Sequence, residues 1–388
     1  MLQMFRRLAP QAALARLIAF AAFLIVATPL VAVDARAAES IEVTDLAGRT
    51  VKAPLNPGKI VLSEGRQLYT LALLDKEDPF KRVVGWGNDL IENDPGLWQK
   101  YAAKFPSAKK LADMGNPYAT DTSVEKIISL GTELYVLDLS NYFKAKETGL
   151  LDKLERAGVA TIFVDFRQDP TQNVLPSLLL LGRVLGREKE ALAFADFYMK
   201  NTRLLYTRVG SIAENKKPMV FIERAAGLLP CCATFGAANF GRYIEEAGGR
   251  NWGSQFFSGF SGQASPEKVF TDNPDYYFVT GASWKGSNPS STAVSLGYDA
   301  TPEKTQAELA ALMKRPGFAE LKAVKDKKVI AFYHQFYDSP YYFIAELVMA
   351  KEFYPDRFKD IDPDAVFKEL HDRFLPVSLS GVFWARLQ

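Results

Sequence analysis

Two stretches of this chain repeat one pattern. "SVEKIISLGTELYVL" runs from Ser123 to Leu137, and "SPEKVFTDNPDYYFV" from Ser265 to Val279. Each carries Ser-x-Glu-Lys, two apolar residues, Ser or Thr, three spacers, an acidic residue, and a tyrosine two positions later. Each reads as a short helix followed by a buried strand. Ser123 and Ser265 suit N-caps, and Pro266 suits the first helical position. Glu125 and Glu267 then fall in the first turn, where the helix dipole favours negative charge. One such unit in each half, in the same order, predicts two related α/β lobes.

The flanks agree. In the first half "KIVLSEG", "RVVGWGN", "ELYVLDLS" and "ATIFVDF" read as strands. In the second half "PMVFIER", "DYYFVTG" and "KVIAFYH" do, with "NFGRYIEEAGG" a helix ended by glycine. Short apolar runs alternating with helices imply mostly parallel sheets covered on both faces. Between the halves, residues 187–209 show apolar residues at helical spacing: Leu192, Ala195, Met199, Leu205 and Val209. The expected fold class is therefore α/β: two Rossmann-like lobes, residues 38–186 and 210–388, joined by a single long helix over 187–209. Such a rod is a stiff connector, so large hinge closure is not expected. Ligands of such sheets bind beyond the carboxyl ends of the strands. "YHQFYDSPYY", Tyr333–Tyr342, begins where the last apolar strand stops.

Residues 1–37 read as a signal peptide. Arg6, Arg7 and Arg16 precede an apolar run from Leu17 to Val33, and Ala35-Arg36-Ala37 fits a small-x-small cleavage site. The mature chain is then expected to be soluble, monomeric and periplasmic. A formal net charge of +2, from 47 basic and 45 acidic residues, gives no field that would attract nucleic acid. The two cysteines, Cys231 and Cys232, are neighbours and cannot staple distant segments. They read either as buried thiols or as a vicinal disulfide lining a pocket. No GxSxG, HExxH or GxGxxG motif supports an enzyme.

The set "IEVTDLAGRTVKAPLNPGKIVL", "EKIISLGTELYVLD", "YIEEAGGRNW", "PEKVFTDNPDYYFV" and "LKAVKDKKVIAFYHQF", in this order, resembles the periplasmic substrate-binding proteins of ABC importers for iron–siderophores, haem and cobalamin. The resemblance spans about Ile41 to Phe353. It implies a binding protein, not an enzyme, without intrinsic cofactor. Such a protein captures a metal chelate between its lobes, a ferric siderophore foremost, and delivers it to an inner-membrane permease and its ATPase subunits. It also implies that Glu125 and Glu267 meet arginines on the permease.

Residues just past strand ends are the candidate ligand contacts: Arg66, Gln67 and Trp86 in the first lobe, and Arg224, Cys231, Cys232, Trp284, Tyr333, His334 and Tyr337 in the second. Rings offer flat surface to a large chelate, and guanidinium groups offer charge to an anionic one. Tyr333 and His334 are candidate metal ligands. Haem and corrinoid remain alternative ligands. Plainer readings stand beside these: Trp86 in the core, Arg224 paired with Glu223, Tyr341 and Tyr342 packed inward at a helix start, and His371 exposed on a polar helix. The tail after Phe353 is expected to pack on the second lobe. If the two glutamates dock, Glu125→Arg with Glu267→Arg abolishes uptake in a transport assay and leaves ligand affinity intact; exposed ion pairs set orientation more than affinity.

Overall fold

Strands buried on both faces cannot alternate polar and apolar residues, and the apolar runs of this chain do not. In the computed structural model, which describes residues 39–115 and 122–388, they pair side by side. The signal peptide expected over 1–37 lies outside the described residues. An antiparallel hairpin, β1 (Ser40–Thr44) and β2 (Thr50–Pro54), leads into the first lobe. There β3 (Ile60–Leu62), β4 (Val83–Trp86), β5 (Ala112–Asp113), β6 (Leu134–Asp138) and β7 (Ala160–Val164) form a sheet in the order β5-β4-β3-β6-β7. All four pairings are parallel. The winding reverses between β3 and β6, and a crevice opens beyond the carboxyl ends of two such strands.

The second lobe is more mixed than the sequence pattern implies. Its centre is parallel: β8 (Met219–Glu223), β12 (Tyr276–Gly281) and β13 (Val329–Tyr333), with the two-residue β10 (Arg250–Asn251) beside β8. Its edges are antiparallel: β9 (Ala233–Phe235) and β11 (Ser261–Gln263) on one side, β14 (Trp384–Arg386) on the other. The repeated segments appear as helices Val124–Ser129 and Pro266–Asp272, each leading into a buried strand, β6 or β12. Ser123 and Ser265 cap them, accepting from Lys126 and Lys268 N–H at 3.2 Å each. Glu125 and Glu267 are exposed in the two first turns.

The connecting helix spans Glu188–Val209, 22 residues and roughly 33 Å. Its buried face is only partly the one its aliphatic spacing marks: Ala195, Leu205 and Val209 are buried as that spacing implies. Leu192 and Met199 are about half exposed, whereas Ala191, Phe194, Tyr198, Thr202 and Leu205 face inward. Aromatic partners decide the rotation: Phe194 and Phe197 pack on Phe374, and Tyr198 on Phe343. Tyr341 and Tyr342 are buried, just ahead of helix Phe343–Phe353. His371 is buried, not exposed. Its Nδ1–H donates to Phe367 O at 2.9 Å, its Nε2 lies 3.0 Å from Tyr298 Oη, and burial pushes its pKa down to about 4.

The tail packs on more than the second lobe. Lys76 Nζ reaches the carbonyls of Asp372 and Arg373 at the end of helix Pro363–Phe374 (2.9 and 3.0 Å), and Lys104 reaches Pro376 O at 2.5 Å. Beyond it, β14 pairs with β13 and covers the edge of the sheet.

Asp94 ties the lobes together. It caps helix Pro95–Lys104 through Leu97 N–H and accepts hydrogen bonds from Tyr69 (2.9 Å) in its own lobe and Tyr333 in the other. Burial is the largest influence on it and raises its pKa from 3.8 to about 6. Folded Asp94 therefore holds its proton more tightly than unfolded Asp94. The stability carried by that proton is complete below about pH 4 and lost as pH rises through about 6. Asp94→Asn should flatten this part of the profile: the Tm difference between wild type and variant, measured by calorimetry, shifts in favour of the variant between pH 4.5 and 7.5.

Candidate functional site

Three parallel strands of the second lobe end side by side, and each delivers one side chain. Arg224 follows β8, Trp284 follows β12, and His334 follows β13. His334 opens a short 3-10 turn, His334–Asp338, that also carries Tyr337 and Asp338. The rings converge. His334 lies 4.7 Å from Tyr337 and 5.0 Å from Trp284 between centroids, and Phe260 lies 6.2 Å from Tyr337. The Arg224 guanidinium sits over Phe260 (5.5 Å) and Phe235 (6.0 Å). A panel of five rings thus gathers at these strand ends, two of them under one cation.

Arg224 does not pair with Glu223. That carboxylate is turned to the other side of the strand, as strand alternation requires. There it holds Arg315 through two bonds of 2.7 and 2.6 Å and accepts from Tyr277 Oη at 2.7 Å. Among the described residues no carboxylate pairs with Arg224, and its Nε has no hydrogen-bond partner. Burial lowers its pKa. Trp284 Nε1 also lacks a partner. Buried polar groups are normally satisfied, so two orphan N–H donors close to one another stand out from the rest of the sheet edge. His334 Nδ1 lies 2.8 Å from Thr280 Oγ1. Burial first, then Arg224 and Arg66, push the imidazole pKa well below 6.5, so the ring is neutral.

The facing lobe brings charge. Glu64 follows β3 and Asp138 ends β6, at the point where the winding reverses. With Asp338 from the other lobe they place carboxylate oxygens within 4.8 Å of one another. Two guanidinium groups thread this cluster. Arg66 binds Asp89 at 2.7 Å, reaches Asp338 at 3.3 Å, and donates to Tyr337 Oη. Arg167 bridges Glu64 and Asp338, the latter at 2.6 Å. Asn239 Nδ2 crosses between the lobes to the carbonyl of Arg167 while also donating to Tyr337 O of its own lobe, 2.7 Å each, and Gln335 Nε2 crosses to Asn93 O at 2.8 Å. Burial raises the pKa of Glu64 well above its ordinary value and that of Asp138 to about 6. The notch expected between the lobes is a closed polar seam at these bonds, with the ring panel at its margin.

The structure thus gathers Arg66, Arg224, Trp284, His334 and Tyr337 at one seam. Trp86 instead packs in the first lobe against Phe80 and Trp98. Tyr333 is fully buried, and its hydroxyl is engaged by Asp94 and its ring by Phe383, so it holds the joint. Gln67 is buried with neither amide atom partnered. Cys231 and Cys232 form a disulfide in the loop between β8 and β9, with Cys232 buried. Sequence reasoning missed Arg167, Asp338, Phe235 and Phe260. Arg167 was detectable, because it lies three residues past the end of β7. Phe235 and Phe260 were not, because β9 and β11 join the sheet antiparallel and carry no repeat signal.

The model of the periplasmic binding protein family matches residues 81–334. The chain belongs to this family. The molybdate-binding protein MolA of Haemophilus influenzae is 22% identical over 364 residues, covering 87% of this chain and 91% of MolA. Among solved structures, the TroA-like periplasmic binding protein FepB of Veillonella parvula superposes with a TM-score of 0.82 at 28% identity, covering 90% of this chain and all of that one. Helicobacter pylori CeuE, in a Ni–His complex, superposes with a TM-score of 0.62 at 18% identity over 88% of this chain and 97% of CeuE, a likeness of fold. The fold is thus shared with proteins whose names carry different cargoes, molybdate for MolA and a Ni–His complex for CeuE.

A half-buried cation without a carboxylate does not stabilise an empty protein. Arg224→Met keeps the apolar stem over Phe260 and removes the charge. In ligand-free protein its Tm is expected to be unchanged or raised by about 2–3 °C, measured by differential scanning fluorimetry.

Proposed function

We propose that this chain is the periplasmic solute-binding protein of an ABC importer, and that it captures an anionic metal chelate, a ferric siderophore foremost, at the seam between its lobes. The observation that carries this reading is Arg224: a cation set over Phe235 and Phe260, beside Trp284, His334 and Tyr337, with no carboxylate partner among the described residues. An anionic chelate with flat aromatic or conjugated arms satisfies both halves of that surface. Its charge meets the guanidinium, and its faces meet the rings. Neutral His334 is available to complete the shell of a metal whose chelator leaves a position open. Glu125 and Glu267, exposed on equivalent first turns of the two lobes, are suited to orient the loaded protein on a two-fold permease.

A second reading is a compact oxyanion. The orphan N–H groups of Arg224 and Trp284 favour it, since both would donate to a tetrahedral anion such as the molybdate in MolA's name. One titration separates the two. Trp284 sits in the panel, so its fluorescence reports occupancy. Ferric catecholate is expected to quench it saturably at one per chain, with Arg224→Ala weakening capture at least about tenfold, or 1.4 kcal/mol, whereas ferric hydroxamate, whose tris-chelate core has no net charge, is expected to bind more weakly. Saturable binding of molybdate with indifference to every chelate would replace the first reading by the second.

A further inference from the structure

The middle strand of the second lobe joins the exits of its two neighbours through a single hydroxyl. Thr280, near the end of β12, is fully buried. Its Oγ1 accepts from Ala225 N–H, just past β8, at 2.8 Å, and lies 2.8 Å from Nδ1 of His334, just past β13. Among the described residues Oγ1 has these two partners and no other. Nε2 of His334, on the far side of the ring from Thr280, has no partner among them. The residue keeps 8% of its surface, so the ring is not sealed in.

A hydroxyl has one proton to give and two lone pairs to offer. The Ala225 N–H can only donate, so it occupies a lone pair of Oγ1. Nδ1 of His334 is then the one acceptor bonded to the hydroxyl proton. The ring is neutral and carries one proton, and the bond made by one nitrogen decides where that proton sits. With Thr280 donating to Nδ1, it sits on Nε2. The reverse arrangement, Nδ1–H donating to Oγ1, leaves the hydroxyl proton unpaired at a fully buried oxygen, which carries the desolvation penalty of that group. The two roles open to a neutral imidazole are therefore not equivalent here. Ligating a metal needs a bare Nε2, whereas donating to an oxygen needs Nε2–H.

We infer that Thr280 is a positioning residue for the cargo site: it fixes His334 as an Nε2–H donor, a third N–H beside those of Arg224 and Trp284, turned toward a ligand oxygen rather than a metal. This rests on the reading of the ring panel as the cargo site. It narrows the cargo to one that presents oxygen acceptors around a fully coordinated centre.

The test is 15N NMR of the histidine-labelled chain without ligand. The chain has two histidines, and the second is a built-in reference: His371 donates from Nδ1–H to Phe367 O, the opposite tautomer. One ring is expected to show its proton on Nε2 and the other on Nδ1, with His334→Gln removing the first set of signals. Thr280→Ser is expected to keep the His334 spectrum and to bind ferric catecholate within twofold of wild type. Thr280→Val is expected to shift the Nδ1 resonance of His334 as its bond is lost and to weaken capture at least threefold. The wild-type and serine spectra decide the matter even where valine at this buried site prevents folding. A proton on Nδ1 of wild-type His334 overturns the inference, as does equal capture by a folded Thr280→Val. So does a visible band of bound ferric catecholate that differs from the free complex and reverts in His334→Gln, since that shows ligation. Nε2–H without capture of any chelate removes the cargo reading and leaves the tautomer set by Thr280 standing; Nδ1–H with capture does the reverse.

Discussion

One guanidinium group holds the two halves of this protein in register. Arg167 leaves the end of β7 and lies between Glu64 of its own lobe and Asp338 of the other. All three groups are almost wholly removed from water. Desolvating such charges costs several kcal/mol per ion, and attraction offsets this only where geometry is good and the remaining lone pairs are satisfied. The seam meets the condition in two ways. Arg66 adds a second cation held by Asp89, and excess negative charge is reduced where Glu64 and Asp138 bind protons more readily than in water. A hydrophobic seam of equal area would hold as well, but it would not fix one register of the lobes. A lattice of paired charges does, because sliding by one residue leaves a buried ion alone.

This lattice also explains why Arg224 stands apart. Three arginines approach the seam, and the two deeper ones are matched with acids. The third meets only rings and is repelled by Arg167. A positive residue without a mate, at the margin of a closed joint, is a feature that folding alone does not call for. The same two-lobed fold occurs in proteins named for different cargoes, such as MolA and CeuE.

Much of the architecture was legible in the sequence. The repeated Ser-x-Glu-Lys units mark a capped turn and a buried strand in each lobe, and both appear where the spacing puts them. Strand ends pointed to Arg66, Arg224, Trp284 and His334 for the same reason: in parallel sheets the chain leaves every strand at one edge. What failed depended on packing between distant segments. Leu192 and Met199 look like a core stripe until Phe374 and Phe343 claim the neighbouring face of the helix. Tyr333 looks like a ligand until Asp94, from the other lobe, takes its hydroxyl. His371 looks exposed among charged neighbours until Tyr298 closes over it. Local pattern records which side chains share a face of an element, not which partner arrives from far along the chain.

The strand β14 has a consequence in time. Residues 384–386 seal the flank of β13, whose other end carries the His334 turn. Until they pair, the second sheet keeps an open hydrogen-bonding flank beside the strand that leads into the His334 turn, so closure of this sheet joins residues more than 50 positions apart in the chain.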